Sequence, residues 1–184
     1  MENRKIVISF DDMWKGNDRW NVFEDLHNKY PNFKVTFFVN PGQCSDEFLK
    51  MIKRDWTELV YHAENHTGSH MSWSKEEAKE RLLKNHIEYG FVKGFKAPGW
   101  KITQNIIDAC KELDFWIASL NTVILNHKKI FYTRYKKGEG LSLHKDYTEY
   151  YGHMQSYNFN ENIKELDEYC LNNKLDFKFV SEMI

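Results

Sequence analysis

The chain has 184 residues, of which 41% are apolar and 16% aromatic, and its formal net charge at pH 7 is -1. This length and composition are typical of a folded enzyme and exclude an intrinsically disordered chain. The balanced charge offers no basic surface to a phosphate backbone, so we expect no nucleic-acid partner. No apolar run approaches the length of a membrane span, so we expect no membrane partner either.

Strand and helix patterns alternate along the chain. Apolar, β-rich runs predict seven strands, at residues 5–9, 34–40, 57–61, 94–97, 115–118, 148–151 and 178–180. Helical periodicity predicts five helices, at residues 20–30, 46–54, 75–89, 103–113 and 160–171. Such alternation is typical of βα units around a mostly parallel sheet. Residues 126–147, rich in Lys, His and Gly, are expected to form a loop or a hairpin over the rim of the sheet.

Two adjacent acids, Asp11 and Asp12, stand at the end of the first predicted strand. Neighbouring carboxylates in a buried position repel each other unless a cation, a hydrogen-bond donor or a proton separates their roles. A metal ion beside a general base would fit this requirement. On the dipeptide alone, a strand that ends in a polar turn and caps a helix is the commoner explanation.

Three histidines spaced by four residues, His62, His66 and His70, follow the third predicted strand. Residues four apart lie on one face if the chain turns into a helix here, so His62 with His66, or His66 with His70, would present two imidazoles to one ion. Neutral imidazole is a common ligand for zinc and its neighbours in the first transition row. Histidines on a surface loop are the alternative.

Two further strand ends carry polar groups, the turn from Lys96 to Trp100 and the histidine His153. The carboxyl ends of strands in α/β folds form one rim, where catalytic groups gather. Four polar clusters on that rim indicate an active site. His144, which also follows a strand-like run, competes with His153 for the role of a catalytic histidine.

These motifs resemble those of the polysaccharide deacetylase superfamily, metal-dependent carbohydrate esterases with a NodB-homology domain, and the match spans nearly the whole chain. Phe10-Asp11-Asp12 is similar to the opening motif of the family, which implies that Asp11 is the general base and Asp12 a metal ligand. His153, before a hydrophobic residue and Gln, is similar to the late histidine of a short-chain branch. That similarity implies that His153 is the general acid.

The segment from Lys96 to Trp100 resembles the third motif of the family. The resemblance implies that Lys96 orients the base, and that Pro98 and Trp100 line the substrate groove. Lys96 stands where the family commonly has Arg. A single ammonium can neutralise the base but cannot hold it with the planar fork of a guanidinium.

The histidine motif resembles two forms of the family motif, so two ligand pairs stay open. His62 with His66 is preferred because Glu58 stands four residues before His62, the spacing at which the family places a glutamate in the strand. The implied metal ligands are therefore Asp12, His62 and His66, with His70 as the alternative ligand. Zn²⁺ is the expected ion, and Co²⁺, Ni²⁺ or Mn²⁺ would suit the same ligands.

The resemblance implies an α/β fold, a distorted (β/α) barrel of about seven strands, with residues 1–184 as a single catalytic domain. It implies a metal-dependent deacetylase that removes an acyl group, expected to be acetyl, from an N-acetylated sugar or glycan. The alternatives are a deacylase of a small non-glycan amide or nucleotide-linked sugar, and a catalytically silent carbohydrate-binding module. The sequence as written, which reaches the first strand at once, predicts a cytoplasmic protein and no particular oligomeric state.

Overall fold

The structure, a computed structural model, describes residues 3–14, 19–133 and 139–184, and nine strands within them form one sheet. The strands are β1 (Arg4–Met13), β2 (Val35–Val39), β3 (Thr57–Tyr61), β4 (Gly94–Lys96), β5 (Trp116–Leu120), β6 (Ile130–Thr133), β7 (Gly140–Leu143), β8 (Tyr147–His153) and β9 (Leu175–Lys178). Their order across the sheet is β6-β5-β4-β3-β2-β1-β8-β7, and β9 also pairs with β1. Neighbours run parallel except β7 and β8, which form an antiparallel pair.

Five α-helices in the described parts of the chain connect these strands. They are α1 (Trp20–Lys29), α2 (Asp46–Ile52), α3 (Lys75–Glu88), α4 (Gln104–Leu113) and α5 (Phe159–Asn172). Ser45 and Ser74, at the N-termini of α2 and α3, accept hydrogen bonds from the backbone N–H groups of Phe48 and Glu77. These bonds satisfy N–H groups that the first turn of a helix leaves free. A run of parallel strands joined by helices is the arrangement that the alternating pattern predicts.

The sheet curls into a half-barrel with a different core on each face. Side chains alternate between the two faces of a strand, so every second residue points into the barrel. The convex face packs against the helices through a large aromatic core that includes Phe10, Phe23 and Phe159. The concave face holds a smaller apolar cluster of Val7, Phe38, Val60, Trp116, Ala118, Phe131 and Val180. This inner cluster forms the floor beneath the polar rim.

The last turn of the chain closes the inner cluster from below. The backbone N–H of Val180 donates to Thr36 Oγ1 at 3.1 Å, and that of Ser181 donates to Glu58 Oε1 at 3.3 Å. Thr36 also donates to Glu58 Oε1 at 2.8 Å. Burial raises the pKa of Glu58, although these hydrogen bonds oppose the shift. Glu58 therefore anchors the C-terminal turn to β3, at the end of the barrel opposite the rim.

Strand β1 lies inside the sheet, paired on both sides, and sets the geometry of the rim. Along one side it pairs with β8 over seven successive residues, and the pairing places Asp11 opposite His153. On the other side it pairs first with β9, through Arg4 to Val7, and then with β2. The rim end of β1 is therefore held between β2 and β8.

Most predicted elements are confirmed within a few residues, and the differences lie in the last third of the chain. The strand predicted at residues 178–180 is wrong: β9 ends at Lys178, and Val180–Met183 forms a 3-10 turn. The expected loop or hairpin at residues 126–147 contains β6 and β7, and β7 forms a hairpin with β8. Both are four-residue strands at the edges of the sheet, where short, polar sequences give little periodicity. In the described part of the chain no helix has the length and apolarity to cross a bilayer.

Candidate active site

The polar rim combines residues from four strand ends. Asp11 and Asp12 belong to β1, His62 follows β3, Lys96 ends β4 and His153 ends β8. Except for the partly exposed His153, these side chains are buried. Buried charged groups need partners, and the contacts among them define the site.

A β-bulge brings the two successive acids to the same point. In a regular strand Asp11 and Asp12 would point to opposite faces of the sheet. The pairing of β1 with β2 shifts by one residue between Phe10 and Met13, and Asp12 has a left-handed φ of 61°. Asp11 Oδ2 and Asp12 Oδ1 consequently lie 3.9 and 3.6 Å from the same atom, His62 Nε2. Strain of this kind costs about 1 to 3 kcal/mol and is concentrated at functional sites.

The hydrogen bonding of His62 fixes its tautomer. His62 Nδ1 lies 2.8 Å from the carbonyl oxygen of Lys96, which can only accept, so Nδ1 carries the hydrogen. His62 Nε2 then presents a lone pair, and it finds no hydrogen-bond partner among the described residues. Burial lowers the pKa of His62 to about 4, so the ring is neutral at pH 7. A neutral imidazole with its second nitrogen anchored to a carbonyl is typical of a metal ligand.

Asp12, His62 and His66 form a cluster suited to a metal ion. One ligand atom from each lies within 4.8 Å of the other two, and His66 Nε2 is 3.7 Å from Asp12 Oδ1. Burial and the neighbouring charge of Asp11 raise the pKa of Asp12, and its Oδ1 has no hydrogen-bond partner among the described residues. A divalent cation would accept lone pairs from Asp12 Oδ1 and His62 Nε2, the two buried atoms without a hydrogen-bond partner among the described residues. Two imidazoles and one carboxylate suit zinc and its neighbours in the first transition row.

His70 lies apart from this cluster. Its Nε2 makes a 2.8 Å hydrogen bond with the carbonyl oxygen of Lys101, and burial lowers its pKa. The group of ligand atoms found among the described residues contains His62 and His66 but not His70. The bond to Lys101 ties the turn that contains His70 to the turn after β4. The geometry thus brings together the preferred histidine pair rather than the alternative one.

Asp11 is the most completely surrounded carboxylate of the site. Its Oδ1 accepts a 2.6 Å hydrogen bond from Lys96 Nζ, and its Oδ2 accepts a 2.8 Å bond from the hydroxyl of Tyr151. Burial alone would raise the pKa of Asp11, but the charge of Lys96, with smaller contributions from His62 and His153, outweighs burial and lowers it. Asp11 is therefore a carboxylate at pH 7.

His153 is held through both ring nitrogens. Its Nε2 lies 2.9 Å from the Tyr151 hydroxyl oxygen, and its Nδ1 lies 2.8 Å from Glu139 Oε1. Glu139 is held in turn by the side-chain amide of Asn162, in α5. A carboxylate on one ring nitrogen orients an imidazole and stabilises its cationic form. Nε2, 3.8 Å from Asp11 Oδ2, is the nitrogen that faces the other groups of the rim.

Lys96 sits in an aromatic cage. Its ammonium lies 3.9 Å from the ring centroid of Trp100, 4.2 Å from that of Tyr151 and 4.5 Å from that of Phe38. Asp11 supplies the charged partner. The ring faces attract the cation where water is excluded. Burial lowers the pKa of Lys96, and the charge of Asp11 opposes that shift.

Comparison with solved structures identifies the fold, whereas no family profile and no curated protein matches the sequence. A family 4 acetyl xylan esterase from Clostridium thermocellum, in complex with cobalt, is 16% identical with a TM-score of 0.64, over 98% of this chain and 90% of that one. The chitin deacetylase of the fungal pathogen Colletotrichum lindemuthianum is 10% identical with a TM-score of 0.66, over 100% and 88%. A carbohydrate esterase family 4 pseudoenzyme from Bacillus anthracis is 13% identical with a TM-score of 0.63, over 96% and 64%.

The chain has the polysaccharide deacetylase fold. The expectation of a distorted (β/α) barrel is confirmed, with nine strands in the described residues rather than about seven. At these identities the likeness is one of fold, and both active enzymes and a pseudoenzyme share it. What this chain does must therefore be argued from its own site.

Within this polysaccharide deacetylase fold, the two residues expected to line the substrate groove differ in accessibility. Pro98 is buried, whereas Trp100 is half-buried at the rim and covers the ammonium of Lys96. Trp100 has a left-handed φ of 61°, which turns the chain sharply after β4. Trp100 is therefore the one of the two that offers ring surface to a molecule on the rim.

Two groups of this candidate site were not predicted from the sequence, Tyr151 and Glu139. Tyr151 shares a strand face with His153 because it stands two residues earlier, so strand periodicity could have found it. Glu139 has no such signal, since it lies in the segment 126–147, which the sequence predicts only as a loop or a hairpin over the rim. The competing histidine, His144, pairs with Glu149 at 3.1 Å and stacks on Tyr147, so these contacts hold it in the β7–β8 hairpin.

Proposed function

We propose that this chain is a metal-dependent deacetylase that hydrolyses the N-acetyl group of a sugar or glycan. The observation that carries the proposal is the meeting of a base, an acid and a set of unsatisfied ligand atoms on one rim. Asp11 is an ionised carboxylate, His153 is an oriented imidazole, and the ligand atoms of Asp12 and His62 are buried without partners in the described structure. Each of these three features alone is common, but amide hydrolysis requires them together.

The metal would be held by Asp12, His62 and His66. The donor set fits Zn²⁺ first, with Co²⁺, Ni²⁺ and Mn²⁺ as alternatives, and a relative of the same fold is described in complex with cobalt. When bound, such an ion supplies a Lewis acid that polarises a carbonyl oxygen and lowers the pKa of water. Three protein ligands leave coordination positions open, as catalytic sites require.

Asp11 would act as the general base. Lys96 engages Oδ1 and Tyr151 donates to Oδ2. Oδ2 would take the proton from the attacking water, because it lies on the side of His153 and away from the Lys96 ammonium. The pKa of Asp11 is lowered by Lys96 against the effect of burial, which keeps the base in its ionised form before the reaction. Lys96 would also compensate the negative charge of the two neighbouring acids when Asp12 holds a metal.

His153 would act as the general acid. An amine is a poor leaving group unless it is protonated, so breaking the C–N bond needs a proton donor close to the nitrogen. Glu139 on Nδ1 stabilises the imidazolium and leaves Nε2 directed to the site. The 31% exposure of the His153 side chain means that it borders the opening through which a substrate would enter.

An acetylated carbohydrate is the substrate class that the proposal favours. Trp100 offers a half-buried indole beside the catalytic groups, and an aromatic face can pack on the apolar face of a sugar ring. Two of the structurally similar proteins are an acetyl xylan esterase and a chitin deacetylase, and both names refer to acetylated glycans. A small N-acyl compound or a nucleotide-linked sugar uses the same chemistry, and the substrate panel below separates these classes.

The proposal is tested by metal content and acetate release on one preparation. Purified protein is stripped with a chelator, reloaded separately with Zn²⁺, Co²⁺, Ni²⁺ or Mn²⁺, and measured by elemental analysis. Acetate release is then followed on N-acetylglucosamine oligomers, acetylated xylan, acetylated sugar nucleotides and simple N-acetyl amines. Activity that disappears with the metal and returns on reloading supports the proposal. Oligosaccharide binding without acetate release from any substrate would instead indicate a silent binding module.

A first prediction concerns the histidine ligands. His62→Ala is expected to lower zinc content at a fixed free-metal concentration by about ten-fold or more, because it removes an anchored, neutral ligand. His70→Ala is the matched control, since His70 is also a buried histidine bound to a backbone carbonyl. It is expected to keep the zinc. If His62→Ala retains zinc and His70→Ala loses it, the ion is bound by His66 and His70 instead.

A second prediction concerns the general acid. His153→Ala is expected to bind metal normally and to lose amide hydrolysis by roughly a hundred-fold or more. The loss on 4-nitrophenyl acetate is expected to be smaller, because a nitrophenolate leaves without a proton. His144→Ala serves as the control, since His144 lies in the β7–β8 hairpin and is bound to Glu149. An unchanged amide rate in His153→Ala, with His144→Ala inactive, would exchange the two roles.

A further inference from the structure

We propose that Tyr151 relays a proton from the general base Asp11 to the general acid His153, and so resets both groups between turnovers. The inference rests on the proposed function and adds a residue to its site. Tyr151 is the only residue with a recorded hydrogen bond to both groups in the described structure, with its hydroxyl oxygen 2.8 Å from Asp11 Oδ2 and 2.9 Å from His153 Nε2.

The direction of these hydrogen bonds follows from the chemistry of the three groups. A phenolic hydroxyl has one hydrogen to donate and lone pairs to accept. The Tyr151 hydroxyl donates its hydrogen to Asp11 Oδ2. The Tyr151 oxygen then accepts from His153, which requires a hydrogen on Nε2. Glu139, as a carboxylate, accepts from the other ring nitrogen. In the proposed arrangement both ring nitrogens of His153 donate a hydrogen bond, Nε2 to Tyr151 and Nδ1 to Glu139.

Hydrolysis leaves the pair in the opposite state. Asp11 has gained a proton from water and His153 has lost one to the amine. His153 is 31% exposed and can exchange with solvent, but the side chain of Asp11 is only 5% exposed. The proton on Asp11 thus needs an exit through protein groups. Lys96 on Oδ1 is already protonated, so Tyr151 on Oδ2 is the available neighbour.

The relay is balanced in atoms and charge. The Oδ2–H bond of Asp11 breaks as its proton moves to the Tyr151 oxygen, and the O–H bond of Tyr151 breaks as its proton moves to His153 Nε2. Asp11 returns to a carboxylate and His153 to an imidazolium. Tyr151 stays neutral, and no electrons change hands. Burial, and then the charge of Asp11, raise the pKa of Tyr151, so the hydroxyl passes protons on without becoming a phenolate.

Tyr151→Phe removes the hydroxyl and keeps the ring that packs on Lys96. Tyr150→Phe is the matched control, because it deletes another buried tyrosine hydroxyl on β8, one that donates to the backbone carbonyl of Asn162 on the convex side of the sheet. Both proteins are loaded with zinc and mixed rapidly with an N-acetylglucosamine oligomer. Acetate is measured in the first turnover, at excess enzyme, and in the steady state.

For Tyr151→Phe, the ratio of the first-turnover rate to the steady-state rate is expected to rise by roughly ten-fold or more over the wild-type ratio. For Tyr150→Phe the ratio is expected to stay at the wild-type value. Equal slowing of both rates in Tyr151→Phe would overturn the relay and leave Tyr151 as a positioning residue. An unchanged ratio with unchanged rates would overturn both roles. Wild-type protein that releases no acetate from any tested substrate would refute the proposed function, and the relay with it.

Nuclear magnetic resonance of the metal-free protein supplies a measurement that needs no turnover. In wild-type protein the His153 ring is expected to show hydrogens on both nitrogens, with the Nε2 hydrogen shifted by its bond to Tyr151. That shift is expected to disappear in Tyr151→Phe and to persist in Tyr150→Phe. An identical His153 signal in wild-type protein and Tyr151→Phe would show that the bridge does not exist.

Discussion

The Asp11→Asn protein is expected to keep its zinc and to lose acetate release by roughly 10²- to 10⁴-fold, the usual contribution of general base catalysis. The Asp12→Asn protein is expected to lose zinc as well as activity. The two substitutions are chemically identical and lie at adjacent positions, so the comparison isolates the role of each carboxylate. Asparagine also tolerates the left-handed backbone of Asp12 better than alanine does.

The different environments of the two acids are the reason for this expectation. Both oxygens of Asp11 already accept hydrogen bonds, from Lys96 and Tyr151, and its pKa is lowered by Lys96 against burial. Asp12 Oδ1 has no hydrogen-bond partner in the described chain and is 3.6 and 3.7 Å from two histidine nitrogens. The first environment suits a base held in place by protein groups, and the second suits a ligand that awaits a cation.

Zinc content is measured by elemental analysis after dialysis at one buffered free-zinc concentration, and activity is measured on the same samples. Circular dichroism melting checks that Asp11→Asn is folded at the assay temperature, because the substitution leaves the ammonium of Lys96 without its carboxylate. Zinc-free Asp11→Asn beside zinc-loaded Asp12→Asn would reverse the two roles. Loss of zinc from both proteins would mean that the carboxylates share the ion.

The location of the site was predictable because parallel strands all deliver their carboxyl ends to one rim. Each predicted cluster follows an apolar run, and the structure places Asp11, Lys96 and His153 at the ends of three such strands. The helix starts at Ser45 and Ser74 were equally readable, since side-chain capping is local. These features depend on short segments, whose chemistry is visible in the sequence.

Features that depend on strand pairing could not be predicted in the same way. The bulge that turns Asp12 toward His62 exists only because β1 shifts its register against β2. The edge strands β6 and β7 are too short to show periodicity and are held by their neighbours. Glu139 reaches His153 across the hairpin from a segment whose pairing the sequence does not specify. Pairing between segments that are distant in the sequence produces no local sequence pattern. The bulge, the edge strands and the contact of Glu139 with His153 are therefore visible only in the folded structure.

The aromatic cage around Lys96 is also formed in part by residues that are distant in the sequence. It suggests a physical reason why this position holds a lysine, where the family that the sequence resembles commonly has an arginine. Three rings and one carboxylate surround a compact ammonium, with centroid distances of 3.9 to 4.5 Å. A guanidinium is larger, planar and carries its donors in a fixed fork. Forcing extra atoms into a packed site commonly costs about 1 to 3 kcal/mol.

Lys96→Arg is therefore expected to lose acetate release by roughly ten-fold or more, although it keeps the charge. The reason is that the longer side chain cannot keep both its place among the rings and its hydrogen bond to Asp11. Lys96→Met, which keeps the length but removes the charge, is expected to be less stable by about 3 to 5 kcal/mol because it leaves a buried carboxylate unpaired. Lys101→Arg, at an exposed position five residues later, is the control and is expected to behave as wild type.

Thermal melts give the stability of these three proteins, and acetate release on the preferred substrate gives their activity. The double substitution Asp11→Asn with Lys96→Met removes both charges, so it is expected to regain part of the stability that Lys96→Met loses. Full activity in Lys96→Arg would show that the cage accommodates a guanidinium, and that the site does not require a lysine at this position. A Lys96→Met protein as stable as wild type would show that Asp11 is not held as a carboxylate by Lys96, and would remove the basis for assigning it as the resting base.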